Sequence, residues 1–160
     1  MPRTTRSPVA TVGHTADWLA LDHQLCFALY AASLAMTKAY KPLLAPLGIT
    51  YPQYLVLLVL WEGDGITVSQ LGDRLTLDSG TLTPLLKRLE NLGLVQRRRD
   101  AADERVVFIT LTAEGRALKA RALEVFSAIG NQTGYEISEI ESLRESLKRL
   151  KGHLEAIPET

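Results

Sequence analysis

Cys26 is the one cysteine in the 160 residues, and its thiol is the group here with evident redox chemistry. The thiolate is the reactive form of cysteine, and a helix N-terminus favours it. The pattern around Cys26 predicts a helix that starts between Asp17 and Asp22, with Asp22 as N-cap, which puts the sulfur in the first turn or two. Tyr30 then stands four residues on, on the same face, able to donate a hydrogen bond to the sulfur. His23, three residues back, would favour the thiolate when protonated. The ordinary role of a lone cysteine, a small buried hydrophobe, stands against this. Spacing alone leaves both open.

The second grouping is one of charge. Lys plus Arg and Asp plus Glu number 18 each, so the net charge of zero does not point to nucleic acid. Yet Lys87, Arg88, Arg97, Arg98 and Arg99 face one acid, Glu90, in the stretch from 87 to 99. Local positive charge is what a phosphate backbone requires. A helix from about Ser79 to Asn91 would turn Ser79, Thr81 and Thr83 toward base edges and hold phosphates with Lys87 and Arg88, followed by Arg97 and Arg99. The plain alternative is a solvated helix face. The tip Asp100–Arg105 carries three acids, which repel phosphate. Arg105 there reads either as a minor-groove arginine oriented by Asp103 or Glu104, or as part of an exposed turn.

Other chemistries find little support. His14, His23 and His153 are scattered and, with one cysteine, make no metal-ligand spacing. There is no glycine-rich phosphate loop and no G-x-S-x-G elbow, and the paired carboxylates Asp103 and Glu104 sit in a turn. No metal, no cofactor and no enzymatic activity are expected.

The elements that must position these residues follow from periodicity and caps. The first helix shows Leu25, Leu29, Ala32 and Met36 on one face, runs to about Tyr40, and is stopped by Pro42. Thr50 and Gln53 form a capping box, and Tyr54 to Trp61 is apolar all round, which marks a central buried helix. Thr67 and Gln70 form a second box for a short helix with Val68, Leu71 and Leu75 inward. A turn at Thr76–Asp78 leads to the helix with Leu82, Leu85, Leu86 and Leu89 inward, distorted at its start by Pro84. Leu94–Arg99 and Arg105–Leu111 alternate as the two strands of a hairpin. Thr112 caps a long helix to about Gly130, Asn131 to Gly134 breaks it, and Ser138 with Glu141 caps a last one. There Ile140, Leu143, Leu147, Leu150 and Leu154 recur at heptad spacing, either packed within the subunit or, as preferred, forming a dimer seam.

The fold class is therefore mainly α (α+β), a winged helix-turn-helix with N- and C-terminal helices forming a dimerisation region. The expected layout is a flexible segment over 1–17 and a single domain over 18–160. Within that domain the winged helix-turn-helix covers 50–112, and the dimerisation helices cover 18–45 and 113–157. The longest apolar run, Tyr54–Trp61, falls short of the ~18 residues a membrane span needs. With no apolar signal core at the N-terminus, a cytoplasmic protein without membrane partners is expected.

LCFALYAASLAMTKAYKPLLAPLGITYPQYLVLLVLWE and LDSGTLTPLLKRLENLGLVQRRRDAADERVVFITLT closely resemble the organic hydroperoxide resistance regulators, a branch of the MarR-type transcription factors. The resemblance covers roughly Leu21 to Arg121. The wing segment Asp103-Glu104-Arg105-Val106 is common to MarR-type proteins, while LCFALY, TYPQY and LDSGTLTPLLKR are more specific to the peroxide-sensing branch. The resemblance implies that Cys26 is the peroxide-sensing cysteine. Tyr30 would approach it from the same subunit, and Tyr40 and Tyr51 from the partner of a homodimer. It makes the helix around Ser79 to Arg88 the recognition helix on double-stranded, pseudo-palindromic DNA, and Arg105 the wing arginine. Many members carry a second, resolving cysteine, and this chain has none, with Ser127 in that general region. A one-cysteine mechanism follows, in which a small thiol forms a mixed disulfide with oxidised Cys26. Phe27, Leu29, Trp18 and Tyr51 are the expected lining of the hydroperoxide pocket. Two other functions remain to be weighed: a MarR-type repressor released by a small aromatic ligand, and a one-cysteine thiol peroxidase.

Overall fold

The computed structural model describes residues 17–158, which fall into two compact units divided between Lys38 and Ala39. Except for Asp17, the segment 1–17 expected to be flexible lies outside the described residues, as does His14.

In the first unit, 3-10 turns at Asp17–Leu19 and Leu21–His23 precede α1 (Leu25–Leu44), which continues past Lys38 into the second unit. The expected helix start is thus late by several residues, and Asp22 lies inside a turn and is not the N-cap. The reason is Gln24. Its side-chain amide donates to the carbonyl oxygens of Trp18 and, at 3.3 Å, of Ala20. Its own backbone is extended, with ψ 119, which separates the turn from the helix. Pro42 does not stop α1, which runs to Leu44. A proline this close to a C-terminus removes one backbone bond, and the burial of Leu44 offsets it.

The second unit opens, after the end of α1, with a 3-10 turn at Ala45–Leu47 that closes on Gly48 at φ 71. α2 (Tyr51–Glu62) follows, with the Gln53 side-chain oxygen accepting the N–H of Thr50 at 2.8 Å. This bond satisfies the amide oxygen of Gln53, a residue otherwise buried in the core. Val56, Leu57 and Leu60 of α2 are fully buried, as a helix apolar on nearly all sides requires.

Ile66–Thr67 forms a short strand, β1, before α3 (Val68–Leu75) and α4 (Ser79–Asn91). β2 (Val95–Arg99) and β3 (Val107–Leu111) form the expected hairpin, but the sheet has three strands in the order β1-β3-β2. Ile66 pairs with Ile109 and Thr67 with Phe108. Two residues are too few to show alternation, which is why β1 was not legible in sequence.

Two glycines permit close approaches. A Cβ on Gly72 would fall 2.7 Å from the Leu77 carbonyl oxygen, so only glycine lets α3 turn so tightly into α4. A Cβ on Gly115 would fall 2.1 Å from the Leu94 carbonyl oxygen, where α5 (Ala113–Thr133) crosses the start of β2. Thr112 caps α5 by accepting the Gly115 N–H at 3.0 Å, and the Trp61 indole N–H donates to the Gly115 carbonyl at 2.9 Å. α2, the sheet and α5 therefore meet at one point.

α5 outlasts its expected end at Gly130, because Asn131 to Thr133 stay helical and Gly134, at φ 71, makes the stop. α6 (Ile137–Glu155) is capped by Glu136 and Glu139 in place of Ser138 and Glu141. The Glu139 carboxylate accepts the Glu136 N–H at 2.8 Å. Among the described residues no single helix is long and apolar enough to cross a membrane.

Candidate functional site

The reading head is built from α3, α4 and the hairpin. Thr67 caps α3 by accepting the Gln70 N–H at 3.1 Å. The chain then passes Thr76, whose left-handed backbone (φ 56) ends the helix, and Asp78 starts α4. Asp78 accepts the Thr81 backbone N–H at 2.8 Å and its hydroxyl at 3.0 Å, bonds that hold its carboxyl below the usual carboxylate range. Thr81 is therefore occupied with capping. Thr83 donates its hydroxyl to the Ser79 carbonyl at 2.7 Å and keeps its oxygen lone pairs outward. Leu82, Leu85, Leu86 and Leu89 are buried, which leaves Ser79, Thr83, Lys87 and Arg88 on the exposed side of α4. Pro84 is accommodated within this helix and not at its start.

A cleft of about 490 Å³ separates α4 from the hairpin. Ser79 and Thr83 line one wall, and Arg97, Arg99 and Arg105 line the other. Ser69, in the first turn of α3, also lines the cleft, a placement the local sequence does not show.

At the tip, Asp103 accepts from the Arg105 backbone at 3.1 Å and from its guanidinium at 3.1 and 3.3 Å. Arg105 thereby holds the Asp103 carboxyl below its ordinary range. The Arg105 side chain is nonetheless 91% exposed, so it is aimed and remains accessible. Of the two acids weighed for this role, Asp103 is the one in contact. The Glu104 backbone carbonyl accepts from Arg99 at 3.1 Å.

Arg97 is held differently. Glu90, near the end of α4, accepts the Arg97 backbone N–H on Oε1 at 3.1 Å and its Nε–H on Oε2 at 2.8 Å, and the same Oε2 lies 2.7 Å from Nη2 in an ion pair. These hydrogen bonds lower the Glu90 carboxyl below its usual range. Arg98 and Arg99 remain exposed beside it.

The candidate sensor residues fall in both units. In the first, Cys26 is the second residue of α1 and is exposed, so the buried-hydrophobe reading fails for this chain by itself. Tyr30, one turn on, is also exposed, and Phe27 and Leu29 are half-buried. His23 lies in the 3-10 turn before α1, so the helical i−3 relation to Cys26 expected for it does not apply.

In the second unit, the rings of Tyr40 and Tyr51 lie 4.8 Å apart, and those of Tyr40 and Tyr54 lie 5.5 Å apart. Burial, with Tyr54 and Tyr51 adding to it, pushes the Tyr40 phenol up to about 12. Burial also raises Tyr51, and burial and Tyr51 raise Tyr54. All three phenols stay protonated at neutral pH and keep an O–H to donate. Tyr54 belongs to the apolar run of α2, and its place in this cluster depends on α1 meeting α2, which local sequence does not show.

The apolar positions expected to form the seam are uncovered in this chain. On α6, Leu143, Leu147 and Leu154 are exposed, Ile140 and Leu150 are half-buried, and the helix buries nothing fully. Leu123 and Phe126 of α5 are also exposed, at 64% and 69%.

Comparison with known proteins bears on this arrangement. Residues 38–122 match the family model described as transcriptional regulator SarA/Rot. The chain is 50% identical over 147 residues to the organic hydroperoxide resistance transcriptional regulator of Bacillus subtilis (strain 168), covering 90% of this chain and 93% of that one. It is 53% identical over 140 residues to the HTH-type transcriptional regulator TtmR of Methylorubrum extorquens (strain PA1), covering 88% and 72%. The solved structure of reduced AbfR bound to DNA matches with a TM-score of 0.70 at 41% identity, covering 86% of this chain and 96% of that one.

Proposed function

This chain belongs to the organic hydroperoxide resistance regulators, a branch of the MarR-type transcription factors and not of enzymes, and we propose that it is a cytoplasmic, homodimeric repressor that releases its operator when an organic hydroperoxide oxidises Cys26. The observation that carries this reading is that the one cysteine is exposed at the start of α1 in a chain that also holds a winged reading head.

On DNA, α4 lies in the major groove with Ser79 and Thr83 toward the bases, while Thr81 stays on its cap at Asp78. Lys87, Arg88 and Arg99 hold phosphates, and Arg105, aimed by Asp103, enters the minor groove. The seam of Ile140, Leu143, Leu147, Leu150 and Leu154 joins two subunits, so that two recognition helices meet half-sites one helical turn, ~34 Å, apart.

At the sensor, the Cys26 thiolate attacks one oxygen of the hydroperoxide. An S–O bond forms, the O–O bond breaks, and an alkoxide leaves and takes up a proton. The resulting sulfenic acid meets no second thiol in this chain. A small thiol condenses with it, forming a mixed disulfide and releasing water. Tyr30 of the same subunit and Tyr40 and Tyr51 from the other copy hold the reduced sulfur through their O–H groups, with His23 nearby. A bulky thiol adduct breaks that arrangement and shifts the two subunits. A loss of about 3 kcal/mol in DNA affinity lowers binding roughly a hundredfold.

The test uses a duplex that the reduced protein selects from a random library. Cumene hydroperoxide with a small thiol should release the parent chain and leave Cys26→Ser bound. A Cys26→Ser variant that lets go on oxidation would sink the proposal.

A further inference from the structure

Resting on the DNA-binding reading, we infer that Glu90 is a positioning residue that withholds Arg97 from phosphate and fixes the root of the wing to the recognition helix. Of the five bases and one acid in the stretch from 87 to 99, this one base and the one acid satisfy each other. The Glu90 carboxylate meets the guanidinium along its Nε–Nη2 edge, at 2.8 and 2.7 Å. That edge is one through which an arginine grips a phosphate with two parallel bonds. With a carboxylate already there, a phosphate would meet a neutralised pair and a competing negative charge.

The same carboxylate also accepts the Arg97 backbone N–H at 3.1 Å, so it fastens the strand as well as the side chain. Arg97 stands at the middle of β2, opposite Ile109 of β3. One residue of α4 thereby sets where the hairpin leaves the recognition helix. The two side chains are only 32% and 34% exposed, whereas the Arg105 side chain at the tip is 91% exposed. Water and salt compete less at the root of the wing than at its end.

The consequence is a count of phosphates. Lys87, Arg88 and Arg99 leave three cations per subunit for phosphate in this stretch, because Arg98 alternates to the other face of β2. With about 0.9 log units per phosphate, a dimer making six contacts has a log–log salt slope of roughly −5, and eight contacts would give about −7.

The experiment measures that slope for the full-length parent, Arg97→Gln and Glu90→Gln on the selected duplex, with a thermal melt of each. Arg97→Gln should keep the parent slope, even where a loosened wing lowers the affinity. Glu90→Gln frees the guanidinium and should steepen the slope by about 2 units per dimer. An Arg97→Gln slope shallower by about 2 units would show Arg97 on phosphate and overturn the inference. An unchanged slope for Glu90→Gln would overturn it as well. Should Arg97→Gln fail to fold, Glu90→Gln decides alone. A parent slope near zero would instead defeat the DNA reading beneath it.

Discussion

Asp64 offers a test of how the wing is tied to the body of the reading head. It lies between α2 and β1, and its Oδ1 accepts the Gly65 N–H at 2.9 Å and the Leu111 N–H at 2.8 Å. Its Oδ2 accepts from Arg116 of α5 at 2.8 Å. β1 pairs with Ile109 and Phe108 of β3 and stops there, so Asp64 supplies the acceptor for Leu111 that a longer strand would have given. Asp64→Ala removes all three bonds. The Gly65 N–H is exposed and turns to water at little cost. The Arg116 pair has side chains 59% and 29% exposed and contributes about 0–1 kcal/mol. Leu111 is 6% exposed, and stranding its part-buried N–H costs about 1–3 kcal/mol. The sum is about 1–4 kcal/mol, which for a chain of this length lowers the melting temperature by about 2–16 °C. Asp64→Asn keeps a carbonyl oxygen for Leu111 and should lose less than half as much. Differential scanning calorimetry of the three proteins at matched concentration reads both effects. If Asp64→Ala melted with the parent, or Asp64→Asn fell as far as Asp64→Ala, the stranded N–H would not be the dominant cost.

Two further outcomes follow from the geometry. Burial raises Tyr40 from 10.0 to about 12, so the folded chain keeps that proton after the unfolded chain has lost it. The stability this contributes is complete below pH 10 and drains away as pH rises toward 12, and an alkaline titration of tyrosinate absorbance should show a late-ionising class that loses one member in Tyr40→Phe. On α6, Leu147→Lys places a charge in the proposed seam at a side chain 41% exposed in the single chain. Burying a leucine fully is worth about 1.5–3 kcal/mol, and a dimer holds two copies. Sedimentation equilibrium should therefore show dissociation at concentrations where the parent is dimeric, and an unchanged mass would exclude Leu147 from the interface.

The candidate sites also differ in what holds them. The Arg105–Asp103 pair is exposed and local, so it aims a side chain without adding much stability. The joint at Gly115 is another matter, since it brings the Trp61 indole, the Thr112 cap and the Leu94 carbonyl onto one residue. Any shift of α5 that the proposed oxidation produces reaches the base of the wing through that joint.

The amino-acid sequence by itself determined what depends on near neighbours. The boxes at Thr50–Gln53 and Thr67–Gln70, the leucine face of α4 and the hairpin around Asp100–Glu104 each arise within a few residues, and all are present. The resemblance carried by LCFALY, TYPQY and LDSGTLTPLLKR likewise needed no coordinates, and the family it pointed to is the one the chain belongs to. Where local signals competed, the reading slipped. Gln24 outbid Asp22 for the start of α1, and Glu136 with Glu139 outbid Ser138 with Glu141 for α6. Only the tertiary structure decided the contacts between distant residues. β1 exists because β3 offers it an edge, Asp64 meets Leu111 across 47 residues, and Tyr54 joins Tyr40 where α2 meets the end of α1. Composition counted Arg97 among the cations, and whether that charge is already paired depends on the turn that folds β2 back against Glu90. A sequence lists charges, but packing decides which of them are already paired.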